Sequence, residues 1–360
     1  MAVVIKDVAK HAGLSVSVVS KYLKNADSVR KDTRTKIEAA IAELGYVPNL
    51  NARSLRTGRT NLVAMVVPEL TDPMFIAMYD TLRYMMRGFG VSLLLQTIDE
   101  LTGPEETPSF SVPAVQPVDA VILCFPESEK LVEDMTSVGA QTGAPPLILV
   151  HWREMECVHA SIVVDIAEGI YQATKYLLEQ GHRKIAYIGG PDWSCQSAQK
   201  HTGFVRAVNE YDCLKSCGSA FRGQNRIDVG YNGAAALFGT YNAATAIVTE
   251  SDSLALGCVQ YCQVNGLRIP EDVMMTGYGD TFLAMVTVPQ LTSVFVPLPE
   301  ICEAVVGVLS ALWAKEEYSG PRRFSTSLAV RDSTKMIMPD DEENPGHPKF
   351  GTPLKGKLIL

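Results

Sequence analysis

The sequence predicts a small all-α head joined to an α/β body of parallel sheets covered by helices. Three observations predict this. Charge is divided unevenly: residues 1–60 hold eleven Lys and Arg against five Asp and Glu, a net of +6, whereas the whole chain is −8, leaving −14 on the remainder. Residues 1–45 read as short amphipathic helices broken at glycine. From residue 61 onward, short Val/Ile/Leu runs alternate with amphipathic stretches. A basic head on an acidic body points to a nucleic-acid-binding module fused to a body that does not bind nucleic acid.

Composition narrows the class. Hydrophobic residues at 47% and charged residues at 20% are the balance of an ordinary globular protein. A chain of 360 residues has room for two or three domains. No apolar run approaches the ~18–20 residues of a membrane span. Lys6 and Asp7 interrupt the N-terminus too early for a signal-peptide core. A cytoplasmic location is therefore expected, with the eight scattered cysteines reduced.

In the head, Ile5, Val8, Ala9 and Ala12 recur at helical spacing, which predicts a helix over 6–12. Gly13 ends it, because the left-handed conformation is cheap only for glycine. Ser15 is a suitable N-cap for a second helix over 16–24. Val19, Tyr22 and Leu23 form its buried stripe, and Val16, Ser17, Ser20 and Lys21 face outward. Val16 read alone also suits a core position. Ile37, Ala40, Ile41 and Leu44 mark a third helix, closed by Gly45. Two helices around a tight glycine turn with a supporting third make a helix-turn-helix unit, whose second helix enters the major groove.

In the body, strands are expected at 62–67, 91–96, 120–124, 147–150, 162–164, 184–188, 246–248, 273–276 and 292–296. Helical stretches at 74–87, 169–180, 253–264 and 301–315 lie between them. Near-continuous apolar strands alternating with helices indicate parallel sheets buried on both faces. Pro104, Pro108, Pro113 and Pro117 make 101–117 a loop.

KDVAKHAGLSVSVVSKYL and TRTKIEAAIAELGYVPNLNARSLRTGRTN resemble the headpiece of the LacI/GalR (lac repressor) family. VPELTDPMF, GHRKIAYIGGP, SDSLALG, GLRIPEDVMMTGYGD, PQLTSV and LAVRDST resemble its body, so the likeness spans about residues 1–335. The resemblance implies a periplasmic-binding-protein-like body of two doubly wound lobes, with three chain crossings near 160, 290 and 320. It implies a headpiece at 1–47, a hinge helix and linker at 48–60, and an effector-binding and dimerisation body at 61–338. Within the body, the N-lobe takes 61–160 and 291–320, and the C-lobe takes 161–290 and 321–338. Residues 339–360 are expected to be a flexible tail, without the leucine heptads of a tetramerisation coil.

The function implied is a dimeric, sequence-specific repressor that docks on a pseudo-palindromic operator and responds to a small molecule between the lobes. Val16, Ser17 and Lys21 fall on the base-reading positions: a valine meets a thymine methyl, and a lysine reaches guanine acceptors. Ser15, Ser20, Arg30, Lys31, Thr33 and Asn49 fall on the DNA backbone. Arg30 stands where the family usually has a serine cap for the third helix. Cations there oppose the helix dipole, and a phosphate reverses that balance. Ala52, Arg53, Leu55 and Arg56 form the hinge, with Leu55 as a wedge in the minor groove. Outside this motif, Leu55 reads as an exposed linker residue.

Phe75, His151, Trp193, Lys200, Asn225, Ser251, Asp252 and Asp280 fall at or beside the effector cleft. Several depart from the family pattern. Lys200 replaces an arginine, Ser251 an asparagine, and Asn225 an aromatic residue. Gly279 replaces the first Asp of a pair, leaving Asp280, and His151 stands where Asp is frequent. A planar fork thus becomes a point charge, which disfavours an ordinary sugar effector. Lys200 with His151 suits an anionic ligand, or Lys200 is a solvated helix residue. Trp193 either lines the cleft mouth or packs.

Cys213/Cys217 and Cys258/Cys262, with His201 nearby, invite a zinc reading, but lack the tighter spacing and histidine support of such sites. Cys258 and Cys262 also share a helical face as small hydrophobes. Gly189-Gly190-Pro191 is not a dinucleotide fingerprint. With no acid–base pair and no nucleophile motif, neither enzyme activity, cofactor nor metal is expected. Met74–Met86 is either a dimer face or core. Two other functions stay open: a regulator with a decayed cleft, independent of effector or controlled by a protein partner, and, more remotely, a solute-binding protein, which the head disfavours.

Overall fold

The computed structural model describes residues 3–24, 26–46, 59–98, 118–126, 128–142, 145–156, 158–214, 217–239, 244–320 and 322–335. The hinge candidates Asn49, Ala52, Arg53, Leu55 and Arg56, the proline-rich 101–117 and the tail from 339 onward lie outside the described residues. The chain forms two compact units, divided between Asn61 and Leu62.

The head consists of α1 (Ile5–His11), α2 (Val16–Lys24) and α3 (Lys31–Leu44). Their apolar stripes meet over Val8, Ala9, Val19, Ile37 and Ala40, all buried, with Tyr22 and Leu23 partly buried around them. Tyr46, just past α3, completes this core. Gly13 and Gly45 both take positive φ, +64° and +60°, where a side chain would be strained. The Ser15 hydroxyl accepts from the Val18 N–H at 3.4 Å and caps α2. At α3 the cap position is Arg30, whose side chain makes no capping bond.

The body strands are β1 (Leu62–Val67), β2 (Ser92–Thr97), β3 (Ala120–Cys124), β4 (Leu147–His151), β5 (Ala160–Asp165), β6 (Ile185–Gly189), β7 (Gly218–Arg222), β8 (Ala246–Thr249), β9 (Met274–Gly279), β10 (Thr292–Phe295), β11 (Arg323–Ser325) and β12 (Ser327–Ala329). One sheet runs β2-β1-β3-β4-β5-β11 and the other β7-β6-β8-β9-β10-β12. All pairings are parallel except β10 with β12. The helices are α4 (Pro73–Arg87), α5 (Glu129–Thr142), α6 (Ile166–Glu179), α7 (Cys195–Glu210), α8 (Ile227–Phe238), α9 (Asp252–Val264), α10 (Phe282–Val286) and α11 (Leu298–Ala314). Every residue of β3, β4 and β6 is buried, as expected of strands covered on both faces. Gly230 and Gly257 let α8 and α9 approach closely: a Cβ on either would strike the backbone of the other helix.

The lobe boundaries differ from expectation by a few residues. β5 (160–165), expected in the C-lobe, pairs with β4 in the N-lobe sheet. β10 (292–295), expected in the N-lobe, pairs with β9 in the C-lobe sheet. The chain therefore crosses after Asp165, between Phe295 and Leu298, and at Thr326, rather than near 160, 290 and 320. An apolar run signals burial, but not which of two sheets it joins.

The Met-rich face of α4 is not an outward surface. Met74, Met78 and Met86 are buried in the N-lobe core, and the exposed side of the helix carries Ile76 and Tyr84. Cys258 and Cys262 are likewise buried in the C-lobe core. The Cys258 Sγ lies 3.3 Å from the Gly230 carbonyl, and burial pushes the Cys262 thiol up to about 11. No described helix is long and apolar enough to cross a membrane.

Candidate functional site

On the head, α2 turns Val19 inward and Val16, Ser17 and Lys21 outward. Val16 is 40% exposed, so the core reading of this residue does not hold. Ser15, Arg30 and Lys31 are exposed, and Ser20 and Thr33 are partly buried. Several acids of the head have partners within it, Asp27 pairing with Arg34 at 3.0 Å. Glu38 accepts from Arg34 and from the Tyr22 hydroxyl, each at 3.0 Å, and its carboxyl lies below the usual range for that reason. Glu43 meets the His11 ring at 2.6 Å. Among the described residues, Lys6, Lys10, Lys21, Arg30, Lys31 and Lys36 are exposed.

In the body, both sheets have the strand order 2-1-3-4-5, in which ligands sit beyond the C-terminal strand ends where the order reverses. In the N-lobe that point lies between β1 and β3. The loop after β1 supplies Glu69 and Asp72, and Phe125 follows β3. In the C-lobe it lies between β6 and β8, which lead to Gly190 and Glu250. Gln196 on α7 donates to the Phe125 carbonyl at 2.8 Å and links the two lobes across this gap.

Glu250 is the hub of the C-lobe side. It is buried, and its carboxylate accepts from the Gly190 N–H at 2.5 Å, the Ser197 hydroxyl at 2.6 Å and the Tyr187 hydroxyl at 3.2 Å. Lys200, only 3% exposed, places Nζ 3.2 Å from the Glu250 carbonyl, 3.8 Å from its carboxylate and 4.3 Å from the Tyr278 ring centre. Lys200 is therefore an interior cation with an internal counter-charge, not a solvated helix residue.

The other candidates divide into two groups. Asn225 hydrogen-bonds Glu69 with its amide, and its Oδ1 is buried without a partner. Phe75 is buried against Phe125, with ring centres 6.4 Å apart. Trp193 is 51% exposed. Ser251, Asp252 and Asp280 are held by partners within the protein. The Ser251 hydroxyl caps α9 by accepting from the Leu254 N–H. Asp252 accepts from the Thr281 N–H and hydroxyl and from Ser293, beneath Gly277, whose missing Cβ leaves room for the carboxylate. Even so, burial pushes the Asp252 carboxyl up to about 7. Asp280 forms a two-pronged pair with Arg331 at 2.6 and 3.0 Å.

His151 requires a correction. It is fully buried, neither ring nitrogen has a partner, and desolvation lowers its pKa to about 3. At neutral pH it carries no charge and cannot join Lys200 in binding an anion. Sequence reasoning passed over Glu69, Asp72, Glu250 and Tyr278. The detectable signal was their place at or near strand ends: Glu250 follows the β8 run directly, and Asp72 precedes Pro73 at a helix start.

A helix-turn-helix head together with a body whose two doubly wound lobes face each other across a polar cleft defines a DNA-binding transcriptional regulator. Residues 4–49 match the profile of bacterial regulatory proteins of the lacI family, and residues 174–334 that of periplasmic binding protein-like domains. The HTH-type transcriptional regulator RegA of Clostridium saccharobutylicum is 28% identical over 337 residues, 93% of this chain and 100% of RegA. The HTH-type transcriptional repressor CytR of Escherichia coli K12 is 26% identical over 93% of this chain and 97% of CytR. The structure of the lac repressor dimer bound to operator and the anti-inducer ONPF shares the fold, with a TM-score of 0.74 at 23% identity over 93% of this chain and 99% of that one. The chain thus carries a lacI-family DNA-binding domain at its head and a periplasmic binding protein-like domain in its body.

Proposed function

We propose that the protein is a cytoplasmic homodimeric repressor that reads a pseudo-palindromic operator with α2 and changes its operator affinity when a small molecule binds between the lobes. The observation that carries the DNA reading is the outward face of α2: Val16, Ser17 and Lys21 stand exposed over a helix anchored by buried Val19. A solvent-exposed apolar residue, a hydroxyl and a cation grouped at a helix N-terminus suit base edges. Ser15, Ser20, Arg30, Lys31, Thr33 and Asn49 would hold phosphates. Arg30 in place of a cap leaves the first N–H groups of α3 and a cation directed to the same anion. The dimer reading is supported by exposed Phe282, Met285, Val286 and Val288 on the C-lobe, beside exposed Val264. The Gln263 side chain donates to the Val288 carbonyl and ties the two segments together.

Binding of variants to randomised operators tests this reading. Lys21→Ala should relax preference at one symmetric pair of positions, at ~1–3 kcal/mol per contact. Arg30→Ala should weaken all sequences about equally. If the two phenotypes are exchanged, α2 is not the reading helix.

The hinge assignment of Ala52, Arg53, Leu55 and Arg56 gives a second test. Leu55→Ala keeps helix propensity and removes the apolar wedge, and unstacking a base step costs a few kcal/mol that Ala cannot replace. Operator bending and specific affinity should fall, while non-specific binding and melting temperature persist. An energy-transfer bending assay showing parental bending would remove the wedge from the mechanism.

A further inference from the structure

Between the lobes the charges do not balance. Glu69 and Asp72 approach from the N-lobe, and Glu250 and Asp252 from the C-lobe. The charges of Asp72, Glu250 and Lys200 act on one another, and Lys200 also acts on Glu69. Lys200 is a cation buried inside this group, and the charge of Arg222 reaches Tyr187 at its edge. Arg222 pairs with Asp192 at 3.0 Å, and His151 is neutral. Several C-lobe donors are already engaged. Gly190 N–H, Ser197 and Tyr187 serve Glu250, and Thr281 and Ser293 serve Asp252.

Two oxygens of this region are buried without a partner. One is Asn225 Oδ1. The other is the hydroxyl of Tyr278, a residue only 3% exposed. Lys200 Nζ sits over the Tyr278 ring, 4.3 Å from its centre, and the charges of Glu250, Asp165 and Asp72 all act on the Tyr278 hydroxyl. A buried polar atom without a partner is costly, and carboxylates withdrawn from water without a counter-charge are more so.

We propose that the inter-lobe site takes a small organic cation, an amine that donates its N–H groups to Glu69, Asp72, Asn225 Oδ1 and the Tyr278 oxygen. This rests on reading the cleft as the effector site. An ammonium is a donor-only, positively charged group and forms charge-assisted bonds with carboxylates. An anion would meet the carboxyls of Glu69, Asp72 and Glu250 and a lysine already paired with Glu250. A neutral polyol would leave the charge uncompensated. Burial holds the carboxyls of Glu69 and Asp72 above their ordinary range, as expected of acids short of a counter-charge.

Calorimetry and thermal melting of the full chain with butylamine and 1,4-diaminobutane, against 1,4-butanediol and succinate, test the inference. The amines are expected to bind and raise the melting temperature, and the diol and the diacid are not. Glu69→Gln and Asp72→Asn should each weaken amine binding roughly 10- to 100-fold. Asn can keep the cap that Asp72 places on the Met74 N–H, so the fold is preserved. Failure of both amines to bind at millimolar concentration overturns the inference, as does amine affinity unchanged in both variants. Operator affinity measured in parallel separates the two readings. Succinate or the diol binding and shifting it sinks the cation and leaves the regulator standing. An amine that binds through Glu69 and Asp72 without shifting it upholds the cation and sinks the control mechanism.

Discussion

Operator affinity is expected to fall roughly 10³–10⁵-fold as salt rises from about 50 to about 200 mM, given ~6–10 phosphate contacts per dimer. The head carries +6 on its first 60 residues. Its structure sharpens that number, because Glu38 and Glu43 are tied to Arg34 and His11 while Lys6, Lys10, Lys21, Arg30, Lys31 and Lys36 remain exposed. Each phosphate neutralised releases condensed counterions, so the logarithm of affinity falls linearly with the logarithm of salt. Fluorescence anisotropy across a salt series measures the slope. Arg30→Ala should lower the slope by about one contact per subunit, and Val16→Ala should leave it unchanged. A flat salt dependence would mean that the basic head does not hold the phosphate backbone.

Glu250→Ala is expected to destabilise the body by ~3–5 kcal/mol, the usual cost of removing one member of a buried ion pair. The change strands Lys200 and leaves the Gly190 N–H and the Ser197 and Tyr187 hydroxyls without their acceptor. For a body of this size the melting temperature should drop on the order of 10 °C. The double variant Lys200→Met/Glu250→Gln should lose less than Glu250→Ala, because it removes the stranded charge and keeps an acceptor for Ser197. Scanning calorimetry decides. A Glu250→Ala loss below about 1 kcal/mol, or a double variant worse than the single, would show that the carboxylate does not organise the C-lobe side of the cleft.

The head was legible almost to the residue. The apolar positions of α1 and α3, Gly13, Ser15 and Gly45 act over three or four residues, so their effect is written in local spacing. Most of the strands were legible for the same reason, since a buried parallel strand is an unbroken apolar run. β7 and the short β11 and β12 were not, because Gly218–Arg222 and Arg323–Ser325 carry little apolar signal. The lobe crossings slipped because β5 and β10 would be equally apolar in either sheet. Of the residues expected at the cleft, Lys200 meets Glu250 and Asn225 meets Glu69, whereas Ser251, Asp252 and Asp280 are engaged in capping, hydrogen bonding and an ion pair within the protein.

By itself the sequence determined what local pattern can encode: a basic three-helix head with Val16, Ser17 and Lys21 outward, and a body of alternating strands and helices. Only the tertiary structure decided the charge of the cleft. Glu250 lies fifty residues from Lys200 in the chain, and Asp72 is farther still. Their interaction depends on two sheets presenting their switch points to each other. A lysine in a sequence reads as a candidate anion site. The same lysine, buried against a carboxylate and outnumbered by acids from both lobes, belongs to a site short of positive charge, because a charge withdrawn from water is governed by its nearest counter-charge rather than by its own sign.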